Sequence, residues 1–304
     1  MSATMIFWCN SSPERSGDRR SVAMIASFSE LIDGRLPGSA VGAFTAYDLQ
    51  SAIATLRAAR AAEAGVIILI AAKSFAAVDG PSLLGAIVAA AERAPGVRAC
   101  VQLDHCTDLG QIEAALDAGA GAVMADGSAL AFEENVAFVR RAVDLARRRG
   151  ASVEAELGAI NGDEDVARAV AAGALTDPDE AADFVARTGA DCLAVSIGNV
   201  HGLYREPPRL DLDRLARIGE LCPVPLSLHG ASGIPDETLS MAIRTAIAKI
   251  NVNTELRAAY LDATIRVAPG LVEGSRLADL HAAQIDAVQA TVAAKLSAFR
   301  GDRT

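Results

Sequence analysis

Three of the four histidines follow short apolar runs: Leu103-Asp104-His105, Asn199-Val200-His201-Gly202 and Leu228-His229-Gly230. Any one of them alone reads as a polar residue satisfied by its neighbours. Three that converge on one rim describe a metal site, because three imidazoles with an open fourth position are the ligand set of a catalytic Zn2+. The fourth, His281, belongs to a helical stretch near the C-terminus and reads as structural. Lys249 poses a separate question, since a buried lysine can form a Schiff base. Alternation along its strand puts Lys249, Asn251 and Asn253 on one face, and Glu154 and Glu156 share a face on another strand. A lysine held charged by such carboxylates is the better reading.

Other groups fit around the histidines. Gly230-Ala231-Ser232-Gly233 precedes a helical stretch, so its backbone N–H groups can face a phosphate. On its own this is a common turn; beside a metal and Asn253-Thr254 it reads as a phosphate cradle. Asn161-Gly162-Asp163-Glu164-Asp165 is either a solvated acidic loop or a mobile general base that closes over substrate.

These residues need a scaffold that brings distant strand ends together. The chain alternates short apolar runs with Ala-rich amphipathic ones. Strands are expected at Ser39–Tyr47, Gly65–Ala71, Arg98–His105, Gly121–Gly127, Ser152–Gly158, Cys192–Gly198, Pro225–Gly230 and Ala248–Asn253. Helices such as Leu49–Ala64, Glu133–Arg149 and Pro235–Thr245 fall between them. Eight βα units without a composition break predict an α/β fold, a single (β/α)8 TIM barrel, with its chemistry at the C-terminal strand ends. A doubly wound sheet would need a Gly-rich loop after the first strand, and Ala43-Phe44-Thr45-Ala46 offers none. We read 1–23 as a disordered N-terminal extension and 24–304 as the barrel. A helical C-terminal segment over 270–299 packs outside the barrel or against a partner.

Composition narrows the function classes. The 304 residues carry a net charge of −10, which argues against nonspecific binding to nucleic acid or to an anionic membrane. No apolar run approaches the roughly 20 residues of a membrane span. The five cysteines show no CxxC spacing and read as reduced core residues of a cytoplasmic protein.

Over about Met24–Phe299 the chain resembles the class II zinc-dependent ketose-bisphosphate aldolases, the fructose- and tagatose-bisphosphate group. The resemblance rests on Leu-Asp-His (103–105), Asp-Gly-Ser (126–128), Val-Glu-Ala-Glu-Leu-Gly (153–158), Gly-Asn-Val-His-Gly-Leu-Tyr (198–204), Leu-His-Gly-Ala-Ser-Gly (228–233) and Lys-Ile-Asn-Val-Asn-Thr-Glu-Leu (249–256). It implies reversible cleavage of a phosphorylated ketose into dihydroxyacetone phosphate and an aldehyde through a zinc-stabilised enediolate. It makes His105, His201 and His229 the zinc ligands, Asp104 the acid/base at the hydroxyl, and Glu164 the base at carbon. Asp126 and Glu156 would support the ligands or hold an alternative metal position. Gly202, Gly230, Ser232, Asn253 and Thr254 would bind the phosphate, with a monovalent cation (Na+ or K+) beside it, and Asn251 would face the enediolate. Arg276 would reach the distal phosphate, often across a subunit interface, in a homodimer or homotetramer.

Departures gather at the aldehyde end of the substrate. Ala-Phe-Thr-Ala-Tyr-Asp-Leu-Gln stands where the family reads Ala-Phe-Asn-x-x-Asn-x-Glu, so Thr45, Asp48 and Gln50 are changed, with Asp48 expected to add a charge beside the site. Ala71 replaces a Ser or Thr, and Asn161 replaces a Gly. These changes predict a preferred substrate other than fructose 1,6-bisphosphate. Two other classes remain: a zinc hydrolase barrel, which would carry a His-x-His absent here, and a non-catalytic or regulatory aldolase-like subunit, which would lose ligands retained here.

Overall fold

The computed structural model describes residues 25–77, 79–160, 169–170, 173–204 and 208–301. Eight parallel strands close into a barrel in sequence order. They are β1 (Val41–Thr45), β2 (Val66–Ala71), β3 (Ala99–Cys106), β4 (Ala122–Ala125), β5 (Ser152–Leu157), β6 (Cys192–Val195), β7 (Leu226–Leu228) and β8 (Ile247–Val252). β8 pairs back onto β1 with Val41 beside Lys249 and Ala43 beside Asn251, which closes the ring. Each expected strand is present, but β4, β6 and β7 are shorter than their apolar runs suggested. The surplus residues turn out of the ladder at the barrel mouth, where they form the site. A separate short parallel ribbon pairs Ala169–Val170 with Leu203–Tyr204.

Alternation along the strands divides the core in two. On β2, Ile68 and Ile70 join the layer beneath the helices, whereas Ile67 and Leu69 join Val41, Ala43, Cys100 and Cys192 inside the barrel. Phe28, Leu31 and Ile32 of the helix Phe28–Asp33 belong to that inner cluster. Towards the mouth the inward positions turn polar yet stay buried: Gln102 and Asp104, Glu154 and Glu156, Ser227 and His229, Lys249 and Asn251. Such a run of buried polar groups is costly unless they satisfy one another.

Aspartate starts many of the helices. Asp48, Asp79, Asp108, Asp177 and Asp211 are N-caps whose side chains accept backbone N–H groups of the first turn. The C-terminal helix, Leu277–Ala298, packs outside the barrel against the helix Leu49–Ala62 and buries Val288, Val292 and Leu296. The next residue, Phe299, accepts a hydrogen bond at its carbonyl from Ala40 N at 3.0 Å. Among the described residues no helix is long and apolar enough to cross a membrane. Cys100, Cys106, Cys192 and Cys222 are buried and free, and burial pushes the Cys100 thiol up to about 12, far from a reactive thiolate. Cys9 and the segment 1–24 lie outside the described residues.

Candidate metal centre

β3 delivers two adjacent functional residues to the mouth, which simple alternation forbids. Asp104 shares the inward face with Gln102, so His105 should point outward. Instead His105 adopts φ 47°, and the register between β3 and β4 shifts between Leu103 and Cys106. This left-handed backbone costs a non-glycine residue about 1–2 kcal/mol. The distortion turns both Asp104 and His105 towards the mouth, and strain of this kind clusters at functional sites.

His229 directly follows β7, while His201 sits in a turn beyond the end of β6. Asn199 staples these two segments together. Its Nδ2 donates to Val195 O at 3.3 Å and to His229 O at 3.1 Å, and its Oδ1 accepts from Ile197 N at 2.8 Å. Tyr204 adds a second tie, donating its hydroxyl to Gly230 O at 2.8 Å. Gly230 itself is required: φ is +62°, and a Cβ there would lie 1.9 Å from Val200 O. The three imidazoles meet edge to face, with centroids 4.8, 4.8 and 5.9 Å apart. One ring nitrogen from each lies within 4.8 Å of the others.

Carboxylates fix which nitrogen of two rings faces the centre. His105 Nδ1–H donates to Asp126 Oδ2 at 2.8 Å, and His229 Nε2–H donates to Glu154 Oε1 at 2.9 Å. The remaining nitrogens, His105 Nε2 and His229 Nδ1, then aim lone pairs at each other across 2.8 Å. Two acceptors at that distance need a proton or a cation between them. Tetrahedral ligands about 2.0–2.1 Å from Zn2+ stand roughly 3.3 Å apart, so a shift of about half an ångström accommodates the ion. Carboxylate-buttressed imidazoles are the usual support of such an ion, and this residue set fits one.

The surrounding electrostatics agree with that assignment. Burial raises the Asp126 carboxyl, but hydrogen bonds from His105 and Ser128, with the charge His105 carries when protonated, reverse this and hold it well below its usual range. Glu154 behaves likewise: burial opposes its charge, and Lys249 and His229 overcome the penalty. Burial lowers His229 to about 4, favouring the neutral imidazole that a metal needs. Glu156 goes the other way, raised to about 8 by burial and by the charge of Asp126. Glu156 Oε2 lies 3.8 Å from His105 Nδ1. His105, Asp126 and Glu156 form a second group whose ligand atoms lie within 4.8 Å of one another.

Lys249 settles into the ion pair expected of it, with Nζ 2.8 Å from Glu154 Oε2 and both side chains fully buried. It also donates to Asn251 Oδ1 at 2.5 Å, and Asn251 Nδ2 approaches the two Asp104 oxygens at 3.4 and 3.3 Å. Gln102, not singled out from its sequence context, donates to Glu154 Oε2 at 2.7 Å. Its place two residues before Asp104, on the same inward face, was the available signal.

Among the residues expected to cradle a phosphate, Ser232 and Asn253 are buried and Gly202 has φ +91°. Asn253 Oδ1 accepts from Tyr47 OH at 2.9 Å, and Thr254 opens the helix Thr254–Val267. The helix after the glycine loop starts at Asp236, within a residue of the expected Pro235, and Gly233 N–H donates to Glu255 Oε1 at 3.3 Å. Gly233 is thereby tied, through the Glu255–Lys295 pair at 2.8 Å, to the C-terminal helix.

The expectation that Asp48 adds a charge to the site is corrected. Its carboxylate caps the helix Leu49–Ala62 through Ser51 and accepts from Tyr260 OH at 2.6 Å. Thr45 is buried at the mouth, and its Oγ1 has no hydrogen-bond partner among the described residues. Arg276 is exposed, donating to Gly270 O at 2.9 Å with Asp279 at 3.5 Å, and the structure does not gather it with the histidines. Glu164, with Asn161, lies outside the described residues.

Residues 31–303 match the family described as fructose-bisphosphate aldolase class-II. A 164-residue stretch is 50% identical to the D-tagatose-1,6-bisphosphate aldolase subunit GatY of Klebsiella oxytoca, covering 54% of this chain and 58% of that one. The match therefore spans little more than half the length of that relative. The crystal structure of the YdjI aldolase from Escherichia coli K12 superposes with a TM-score of 0.81 at 32% identity, covering 92% of this chain and 99% of the other. Fructose-bisphosphate aldolase (Fba) from Campylobacter jejuni shares the fold, with a TM-score of 0.77 at 19% identity over 91% of this chain and 96% of its own.

Proposed function

The chain belongs to the class II fructose-bisphosphate aldolase family, and on that premise we propose that it is a zinc-dependent aldehyde-lyase that reversibly cleaves a phosphorylated ketose to dihydroxyacetone phosphate and an aldehyde. The observation that carries this reading is the 2.8 Å approach of His105 Nε2 to His229 Nδ1, with a carboxylate against the other nitrogen of each ring. His105, His201 and His229 hold the metal. When bound, Zn2+ polarises the ketone and stabilises negative charge on its oxygen, an effect worth several kcal/mol.

The chain's own groups supply the rest. Asp104, buried beside Asn251, takes the proton from the substrate hydroxyl as the C–C bond breaks and returns it to the aldehyde oxygen in condensation. Glu164 moves the proton at the carbon next to the ketone. Asn251 donates a hydrogen bond beside that carbon. Gly202, Gly230, Ser232, Asn253 and Thr254 hold the phosphate, with a monovalent cation alongside. Asp126 and Glu156 orient His105 and offer the alternative metal position. The chain assembles as a homo-oligomer, in which Arg276 serves the distal end of a neighbour's substrate.

For the preferred substrate we take a ketose phosphate other than fructose 1,6-bisphosphate. Thr45 and Ala71 support this choice: the first has an unsatisfied hydroxyl and the second no donor at all. Metal analysis with a kcat/KM panel of fructose, tagatose and singly phosphorylated ketoses tests both levels. His201→Ala is expected to lose metal and activity while keeping the fold. Full activity without metal would sink the aldolase reading, and a top rank for fructose bisphosphate would sink the substrate choice.

A further inference from the structure

Lys249 sits inside the barrel, wholly buried, with its Nζ against Asn251 and Glu154. A buried ammonium is costly unless matched, and desolvation alone would strip its proton. Here the charges of Glu154 and Asp104 outweigh that penalty, so Lys249 stays charged. Its partners point in two directions. Glu154 Oε2 faces Lys249 at 2.8 Å, leaving Oε1 to receive His229 Nε2–H at 2.9 Å. Asn251 Oδ1 faces Lys249, so its Nδ2 is turned towards Asp104. A flipped amide would set an NH2 group against the ammonium and an oxygen against the carboxylate, both repulsive.

We propose that Lys249 is a positioning residue that serves two parts of the site at once. Through Glu154 it holds the tautomer and angle of His229, and through Asn251 it keeps an amide donor aimed at Asp104. This rests on the roles given above to His229 and Asp104. A lysine that only filled the barrel with a neutralised pair would be replaceable by any packed, charge-balanced pair.

The test uses the zinc-loaded double variant Lys249→Met/Glu154→Gln, which removes both members of the ion pair together. Three quantities are read: the zinc dissociation constant by chelator competition, kcat for ketose cleavage, and the rate of deuterium exchange into dihydroxyacetone phosphate. The expected result is a folded protein with zinc affinity about 10–100-fold weaker, the range typical for lost support behind a ligand. At saturating zinc, cleavage should fall at least about 10-fold further than exchange, because exchange does not use Asp104. Unchanged zinc affinity, or equal losses in cleavage and exchange, overturns the proposal.

If the double variant does not fold, Asn251→Leu cuts the Asp104 arm and leaves the Glu154 arm. Because it also removes the amide beside the enediolate carbon, exchange falls too, but cleavage must fall further with zinc affinity unchanged, and equal losses there also overturn the proposal. Asp104→Asn serves as the reference. If it leaves the cleavage-to-exchange ratio unaltered, the acid/base role of Asp104 has failed, and the Asn251 arm falls with it. A normal split in Asp104→Asn without one in the Lys249 variant refutes the Lys249 proposal alone.

Discussion

Asp126→Asn probes the metal centre with almost no change in shape. The carboxylate has two tasks: Oδ2 accepts from His105 Nδ1–H at 2.8 Å, and Oδ1 accepts from Ser128 N at 3.1 Å and Ser128 Oγ at 2.7 Å. An amide has one acceptor oxygen and can perform only one of them. With its oxygen towards His105, its NH2 group meets the Ser128 N–H head on. With its oxygen towards Ser128, the NH2 group faces His105 Nδ1 and drives the ring proton to Nε2, the nitrogen needed for the metal. Either choice also removes a negative charge beside a divalent ion. Lost support behind a ligand typically weakens binding 10–100-fold, or about 1.4–2.7 kcal/mol, and the conflict at both oxygens argues for the upper half of that range. Competition with a chromogenic chelator at fixed pH measures the zinc dissociation constant directly. A value within twofold of wild type in a folded Asp126→Asn protein would refute the assignment of His105 Nε2 as a metal ligand held by Asp126.

Three further outcomes follow from the same geometry. Glu156, raised from 4.5 to about 8, keeps its proton in the zinc-free fold but releases it on unfolding across that window, so its contribution to stability is lost as pH rises from 4.5 to 8. At about 1.4 kcal/mol per pH unit this approaches roughly 4–5 kcal/mol; melting curves of wild type and Glu156→Gln should diverge across that window, and parallel curves would count against it. Tyr47→Phe removes the 2.9 Å bond to Asn253 and should raise KM for the phosphorylated substrate about 2–10-fold, for a loss of about 0.5–1.5 kcal/mol, with zinc content unchanged. Gly230→Ala drives a Cβ to 1.9 Å from Val200 O at a left-handed φ and should cost about 2–5 kcal/mol, read as a lower Tm and weaker zinc retention, whereas a wild-type Tm would mean that the His201 and Gly230 segments are not pressed together.

The barrel was legible because its physics is local. Each strand is an apolar run, each helix an amphipathic one, and several helices open on an aspartate whose cap is set within three residues. The same locality explains the correction at Asp48: Asp48-x-x-Ser51 is a capping box, and the partner that completes it, Tyr260, comes from the far end of the chain. The histidines were legible as a set, but not the way β3 delivers His105. That depends on a register slip against β4, a property of two strands together. Asn199 and Gln102 were missed for a related reason. Their value lies in hydrogen bonds to groups on other strands, and neither residue type is conspicuous alone.

The spread of the histidines along the chain bears on the order of events as the protein folds. His105 and His229 are 124 residues apart in sequence and come from strands β3 and β7, which are not neighbours in the ring, so they meet across the assembled barrel. No pair of ligands is close enough in sequence to seize an ion early, unlike a compact zinc finger whose metal directs its folding. Contacts of such long range form late, since the intervening chain must first be ordered. On the proposed ligand set, metal capture belongs to a late stage of folding, and the time course of metal uptake during refolding would serve as a clock for the closing of the ring.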